Sequence, residues 1–180
     1  MTKDELPEGI IRHPLKQNFD QRGCLSEFYR AEWFSHPPPV QWNLVTSQFN
    51  SLRGVHVHLS HIDFLSIIEG NMLLGLYDLR PHSPTFDSGI FLTLSDTQPE
   101  TIMIPMGVAH GFYFPMTTTY MDGLTEYWDQ DDDLGCLWND PDLHLDWPTV
   151  SPILSDRDKN APSLPELRQT FLTRTLKTFI

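Results

Sequence analysis

The residues with the clearest chemical potential are histidines and acids in one short stretch of the chain. Arg53, His56 and His58 are followed directly by His61 and Asp63. Alternate residues of a strand share a face, so His56 and His58 are expected on one side and Arg53 on the other, unless a bulge intervenes. The stretch predicts either a metal site or histidines that only form structural hydrogen bonds.

A distant histidine and the acid extend this stretch into a set of metal ligands. The candidate donors, which suit Zn, Fe or Mn, belong to His56, His58, Asp63 and His110. Their spacing resembles the metal pattern of the cupin superfamily, with Asp63 at the carboxylate position, Gly70 at the glycine position and 105–110 as the second motif. The alternative is that one or both strand histidines are hydrogen-bonded interior residues without a ligand.

The elements that must hold these residues are short β-strands. The 15 prolines and 10 glycines divide the chain into short segments rich in β-branched and aromatic residues, a pattern typical of all-β proteins. The predicted strands are 40–47, 52–59, 64–69, 71–78, 90–94, 101–104, 111–114 and 118–125, with helical turns at 31–34 and 164–174. We expect one domain over residues 1–180, folded as a double-sheet jelly roll or a small barrel with short peripheral helices.

Composition restricts the partners. The chain of 180 residues carries a net charge of −12, which argues against an extended basic surface for nucleic acid or anionic lipid. Its apolar runs are shorter than the roughly 20 residues of a membrane span. Cys24 and Cys136 are far apart, and the first ten residues lack an apolar signal core. We therefore expect a soluble, cytoplasmic protein without nucleic-acid or membrane partners. The acidic run 129–133 is predicted to be a solvated loop.

Longer motifs, taken in order along the chain, resemble a single family. They are Phe19-Asp20-Gln21-Arg22-Gly23, Arg53-Gly54-Val55-His56, residues 104–112, Trp138-Asn139-Asp140-Pro141 and Leu154-Ser155-Asp156-Arg157-Asp158. This order is similar to that of the dTDP-4-dehydrorhamnose 3,5-epimerase family, and the resemblance covers nearly the whole chain. It implies a cupin-type jelly roll, a homodimer, a pyrimidine-diphosphate sugar as substrate, a role in deoxysugar and cell-surface polysaccharide biosynthesis, and no metal or organic cofactor.

The resemblance also implies a role for individual residues. Family chemistry removes a proton next to a 4-keto group and returns one to the other face of the ring. His56 corresponds to the base, and Asp158 to the carboxylate that orients its imidazole. The positions implied for substrate binding are Arg22, Glu27, Gln41, Asn43, Arg53, His110 and Trp128.

Two catalytic positions depart from the family pattern. The lysine on the enolate side falls at Asp63, and the acid tyrosine falls at Asp122. A carboxylate about 4 Å from an enolate oxygen is repelled by roughly 4 kcal/mol at an effective dielectric constant of about 20, where a lysine would attract. Tyr120, two residues before Asp122, shares its face of the strand and offers a substitute phenol. We therefore expect reduced activity, or activity at a single carbon.

Two other functions stay open at this point. One is a metal-dependent cupin in which an ion held by His56, His58, Asp63 and His110 replaces the missing lysine as the electrophile. The other is a sugar-nucleotide binding protein without catalytic activity.

Overall fold

Short strands dominate the computed structural model, which describes residues 5–177. The strands are β1 (Ile11–Pro14), β2 (Gln17–Asp20), β3 (Gly23–Ser26), β4 (Gln41–Ser47), β5 (Leu52–Val57), β6 (Asp63–Glu69), β7 (Asn71–Asp78), β8 (Gly89–Ser95), β9 (Glu100–Ile104), β10 (Val108–Tyr113), β11 (Thr118–Leu124) and β12 (Leu134–Gly135). The α-helices are α1 (Asp156–Lys159) and α2 (Leu164–Lys177), and single 3-10 turns span Ala31–Trp33 and Pro141–Leu143.

The strands form two five-stranded sheets, whose ladders are all antiparallel. The first sheet has the order β1-β9-β6-β11-β4, and the second has the order β12-β5-β10-β7-β8. Strands β2 and β3 pair only with each other, as a separate hairpin. The predicted jelly roll with short peripheral helices is confirmed. Among the described residues, no helix is long and apolar enough to span a membrane.

The two sheets enclose an apolar interior because successive side chains of each strand point to opposite faces. Leu65, Leu74 and Ile102 belong to this interior cluster and are fully buried. The opposite face of the second sheet is covered by α2, whose Leu167 and Phe171 belong to the same cluster as Val55, Val57 and Tyr77. Phe34, Ile62, Phe64 and Met103 form a third cluster, on the other face of the first sheet.

The central strands lie close to their predicted bounds, and the first strands of the chain were missed. Strand β7 has the predicted limits, and Gly70 alone separates it from β6. Strands β1 to β3 carry few buried residues, so their sequences lack the apolar alternation by which strands are found. The short helix α1, which begins where the Ser155 hydroxyl accepts a hydrogen bond from Asp158 N, was also not predicted.

Candidate active site

A cavity of about 530 Å³ is lined by strands of both sheets. The second sheet contributes Arg53 and His56 from β5, His58 directly after β5, and His110 from β10. The first sheet contributes Asn43 from β4, Asp63 from β6, and Tyr120 and Asp122 from β11. Most of the residues singled out in the sequence therefore meet in one place.

Arg53 lies on the same side of β5 as the two histidines, which corrects the simple alternation expected from the sequence. The β5–β10 ladder shifts register, so that His110 pairs with His56 but Phe112 pairs with Arg53. Gly54 has a φ of 110°, and a Cβ there would lie 2.8 Å from both Gly111 Cα and His110 O. The predicted exception, a bulge, is thus present and depends on glycine.

His56 and Asp158 form a close pair at the wall of the cavity. His56 Nε2 lies 2.7 Å from Asp158 Oδ1, and α1 presents the nearly buried carboxylate. Burial opposes ionisation of Asp158, but the imidazole of His56 outweighs it, so the pKa of Asp158 lies below its usual value. An ionised carboxylate only accepts, so Nε2 carries a hydrogen and donates it to Asp158, while the other ring nitrogen, Nδ1, lies 3.9 Å from Asp133 Oδ1.

Three further histidines surround the Asp63 carboxylate. His61 Nε2 lies 3.5 Å from Asp63 Oδ1, and His110 Nε2 lies 4.0 Å from Asp63 Oδ2. The ring of His58 stacks on that of His61 at a centroid distance of 4.0 Å and lies 5.2 Å from that of His110. These four side chains are all buried.

The buried histidines differ in charge. Burial lowers the pKa of His58 to about 4 and also lowers the pKa of His110. Burial opposes the charge on His61 too, but the carboxylates of Asp132 and Asp63 on either side raise its pKa to about 9. At neutral pH His61 is thus an imidazolium between two carboxylates, whereas His58 and His110 are neutral.

Asp122 and Tyr120 lie on β11, on the wall contributed by the first sheet. Burial, together with the charge of Asp63, raises the pKa of Asp122 to about 7. One carboxyl oxygen of Asp122 is buried without a hydrogen-bond partner. Burial also raises the pKa of Tyr120. A carboxyl group with such a pKa can give or take a proton near neutral pH.

The acidic run 129–133 is the predicted solvated loop only in part, because residues 129–131 are exposed whereas Asp132 and Asp133 are partly buried. Asp132 accepts hydrogen bonds from Leu59 N, Ser60 N and the Ser60 hydroxyl. Asp133, whose side chain is 6% exposed, pairs with Arg157 and lines the cavity. The run therefore ties the end of β5 to the segment that carries α1. The only sequence signal for this structural role was the clustering of five acidic or amide residues at 129–133.

A hydrogen-bonded group closes one side of the cavity. Gln41 Nε2 donates to Asn43 Oδ1 at 3.0 Å, and Gln41 Oε1 accepts from Trp128 N at 3.0 Å. Trp128 Nε1 donates to Asp133 Oδ2 at 3.2 Å. Asn43 and Trp128 line the cavity, whereas Gln41 lies behind them and positions both.

Arg22 and Glu27 are not brought to this cavity within the chain. Arg22 lies in the β2–β3 hairpin with its side chain 90% exposed, paired with Asp20 at 2.6 Å. Glu27 is also exposed. Their expected role in substrate binding is therefore not fulfilled within one chain.

The structure removes one residue, His56, from the set of metal ligands expected from the sequence. His58, Asp63 and His110 each offer a ligand atom within 4.8 Å of the other two, and a second group consists of His58, His61 and Asp132. His56 belongs to neither group, since Asp158 engages it. Among residues 5–177 the four-residue set predicted from the sequence thus reduces to three.

Comparison with known proteins identifies related chains over this whole architecture. The family model described as dTDP-4-dehydrorhamnose 3,5-epimerase matches residues 4–166. A curated dTDP-4-dehydrorhamnose 3,5-epimerase of Mycobacterium tuberculosis (strain CDC 1551 / Oshkosh) is 34% identical over 166 residues, covering 85% of this chain and 82% of the relative.

Solved structures of similar proteins share the fold. The dTDP-4-dehydrorhamnose 3,5-epimerase of Bacillus anthracis, with TDP and PPi bound, is 31% identical with a TM-score of 0.80, covering 87% of this chain and 94% of that one. A 3'-monoepimerase from Streptomyces bikiniensis, in complex with dTDP-quinovose, is 26% identical with a TM-score of 0.86, covering 94% and 90%. The family model spans most of the chain and these structures share its fold, so this protein belongs to the dTDP-4-dehydrorhamnose 3,5-epimerase family.

Proposed function

We propose that this protein binds a deoxythymidine-diphosphate 4-keto-6-deoxy sugar and moves a proton at a carbon next to the ketone. The observation that carries the proposal is the His56–Asp158 pair on the wall of a cavity of about 530 Å³. The names of the relatives and the nucleotides bound by two of the similar structures support the same substrate class.

His56 acts as the base in this proposal. Its Nε2 is engaged by Asp158, so Nδ1 takes the proton from the sugar carbon. The carboxylate holds the ring in one orientation and stabilises the imidazolium that forms, which is the usual role of an acid behind a catalytic histidine. Asp158 is therefore a positioning residue.

Arg53 and His110 bind the substrate in this proposal. The Arg53 guanidinium lies in the cavity, and its Nε donates to the Ser47 hydroxyl at 2.9 Å. A guanidinium fixed through Nε still presents its terminal nitrogens, which suit a diphosphate. Asn43 and Trp128, from the opposite side of the cavity, contact the same ligand.

In this proposal, the residue that returns a proton to the substrate carbon lies on the side of the cavity formed by the first sheet. Asp122 stands where the family tyrosine is expected and lies half-buried on the first sheet, with the buried Tyr120 as the second candidate acid. Neither residue is the family acid in its family position, and Asp63 opposes an enolate. We therefore propose exchange at one carbon, at a rate below that of a double epimerisation.

A homodimer in the cytoplasm completes the proposal. The β2–β3 hairpin and the outward face of β4 expose the apolar residues Phe19, Leu25, Trp42 and Leu44. Exposed apolar residues of this kind suit contact with a second copy of the chain. The hairpin would then bring Arg22 and Glu27 to the partner's cavity. The free thiols Cys24 and Cys136 fit a reducing compartment.

The test is solvent exchange in heavy water. Incubation with a dTDP-4-keto-6-deoxy sugar should place deuterium next to the ketone, which proton NMR detects even when no epimer accumulates. His56→Asn should reduce the exchange rate by about 10² to 10⁴-fold, whereas the exposed His82→Asn should leave it unchanged. Binding of dTDP without exchange in the wild type would reduce the protein to a sugar-nucleotide binder. Absence of both would overturn the proposal.

A further inference from the structure

We propose that His58, Asp63 and His110 bind one divalent transition-metal ion in the cavity, and that this ion polarises the ketone oxygen of the substrate. The donor set, two imidazoles and one carboxylate, suits Zn²⁺, Fe²⁺ or Mn²⁺. The ligand set stands on the geometry alone. Only the role toward the ketone rests on the proposed function.

The three ligand atoms are close enough for one ion. All lie within 4.8 Å of one another, and they come from β6, β10 and the end of β5. An ion about 2.1 Å from each donor requires donors roughly 3 to 4 Å apart. The remaining contraction is small enough for side-chain rotations alone, so the sheets need not move.

His110 is oriented as a metal ligand. Its Nδ1 lies 3.1 Å from the carbonyl oxygen of Val108, and a carbonyl only accepts, so Nδ1 carries the hydrogen. Nε2 consequently holds a lone pair, and it lies 4.0 Å from Asp63 Oδ2. A cation placed between this lone pair and the carboxylate would be bound by both. A backbone carbonyl behind the ligating histidine is a usual outer partner in metal sites.

His58 has an acid behind it as well. Its Nδ1 and Asp133 Oδ1 are 3.8 Å apart, and both atoms are buried without a hydrogen-bond partner. A shift of less than 1 Å would join them into a hydrogen bond of about 3 Å. The other ring nitrogen of His58 would then keep its lone pair for the ion. A carboxylate that orients the imidazole in this way is typical of histidine ligands.

The second group of potential ligands is a weaker candidate. It shares His58 with the first group, so the two groups compete. Its carboxylate, Asp132, already accepts hydrogen bonds from Leu59 N, Ser60 N and the Ser60 hydroxyl. Asp132 therefore serves to hold the loop after β5, and Asp63 is the acid with capacity for a metal.

The charges around the cavity leave a role for an added cation. The acidic side chains of Asp63, Asp133 and Asp158, together with Asp122, whose pKa is about 7, line the cavity with three cationic groups, which are Arg53, Arg157 and the charged His61. Among the described side chains no lysine or arginine forms an ion pair with Asp63, whose ion-pair partners are His61 and His110. A diphosphate substrate and an enolate add negative charge. An ion on Asp63 supplies the electrophile that an enolate oxygen needs.

The test is a titration with Co²⁺ of untagged protein freed of metal by a chelator. We expect visible ligand-field absorption that saturates at one ion per chain and is displaced by Zn²⁺. His58→Ala and His110→Ala should each weaken binding by about 100-fold or more. The exposed His82→Ala should leave it unchanged, and so should His56→Asn, because His56 lies outside the ligand set.

Several outcomes would overturn the proposal. The first is that the wild type does not bind one equivalent of Co²⁺. The second is that His58→Ala and His110→Ala bind Co²⁺ as tightly as the wild type while circular dichroism shows that they are folded. If those variants do not fold, Asp63→Asn provides the same comparison. If the ion binds but its removal by a chelator leaves deuterium exchange unchanged, the ion does not polarise the ketone oxygen. Metal binding without any exchange would instead refute the proposed function and leave the ligand set intact.

Discussion

At the scale of single residues, the cavity is a set of titratable groups whose charges are fixed by burial and by one another. His58 is held neutral by burial, whereas His61 is held charged by two carboxylates. Asp122 is partly ionised at neutral pH, because burial and the nearby charge of Asp63 raise its pKa to about 7. A carboxyl group kept in this state is useful as an acid and unfavourable for folding.

Asp122→Asn should therefore stabilise the protein, and more so as pH rises. The pKa of Asp122 is raised in the folded chain, so its contribution to stability is complete below about pH 4 and is lost as pH rises through about 7. We expect the variant to gain roughly 2 kcal/mol in unfolding free energy at pH 8 and almost nothing at pH 4.

Urea unfolding at the two pH values measures this difference. Asp146→Asn makes the same change of charge at an exposed position and serves as the control. Equal effects of the two substitutions at pH 8, or a less stable Asp122→Asn variant, would contradict a raised pKa at Asp122.

At the scale of elements, the decisive feature is the irregular start of β5. Leu52 packs in the same cluster as Val55 and Val57, so two residues, Arg53 and Gly54, lie between the first two of these positions, where regular alternation would leave one. This extra residue turns Arg53 toward the cavity with His56. The conformation of Gly54 and its close approach to β10 make the irregularity possible.

Gly54→Ala should consequently reduce both stability and activity. The added methyl group meets backbone atoms of His110 and Gly111, which cannot rotate away, and the residue has an unfavourable φ. We expect a loss of about 2 kcal/mol or more, which lowers Tm by roughly 4 to 8 °C in a chain of this size. Deuterium exchange should fall as well, because His56 and Arg53 move.

Gly23→Ala is the matched control for this substitution. Gly23 also has a positive φ, but a Cβ there would meet nothing within 4 Å. Its effect on Tm should be the smaller of the two, since only the conformational cost applies. Calorimetry of both variants makes the comparison, and equal losses would show that the contact with β10 is unimportant.

The sequence predicts the inner strands well for a physical reason. Strands such as β6, β7 and β11 are buried and bounded by glycine or polar turns, so local composition and tertiary burial agree. The sequence allowed for a bulge in β5 without placing it, and strands β1 to β3 and the structural role of Asp132 were not predicted, because each depends on contacts distant in sequence. The pairing of His56 with Asp158 was implied by the family resemblance, whereas the separation of His56 from the group of His58, Asp63 and His110 needed the fold.

At the scale of the whole molecule, the exposed apolar hairpin and the face of β4 stand out on a chain of net charge −12. The β2–β3 hairpin pairs with no other strand among residues 5–177. An isolated two-stranded hairpin is marginally stable in water, so a surface outside the chain that stabilises it is expected. A second copy offers that surface.

Light scattering should therefore give a mass of twice 20.8 kDa. Replacing Leu25 and Leu44 together by aspartate should convert the protein to monomers, because two charges would enter an apolar interface. The monomer should also bind dTDP more weakly, since Arg22 and Glu27 would no longer reach a partner. Val150→Asp, at a residue 97% exposed, is the control. A wild-type monomer at micromolar concentration would contradict the dimer.

The division of the cavity between two sheets has a consequence for how the sequence can change. His56 and Asp122 are carried by different sheets, and the two sheets of such folds pack about 10 Å apart. The distance between the two residues therefore depends on how the sheets pack and not on either strand alone. Interior side chains such as Leu65 and Leu74 set that thickness. Substitutions that repack this interior would change the turnover rate without replacing any residue that contacts the substrate. Selection for activity therefore restricts these apolar positions, in addition to selection for folding.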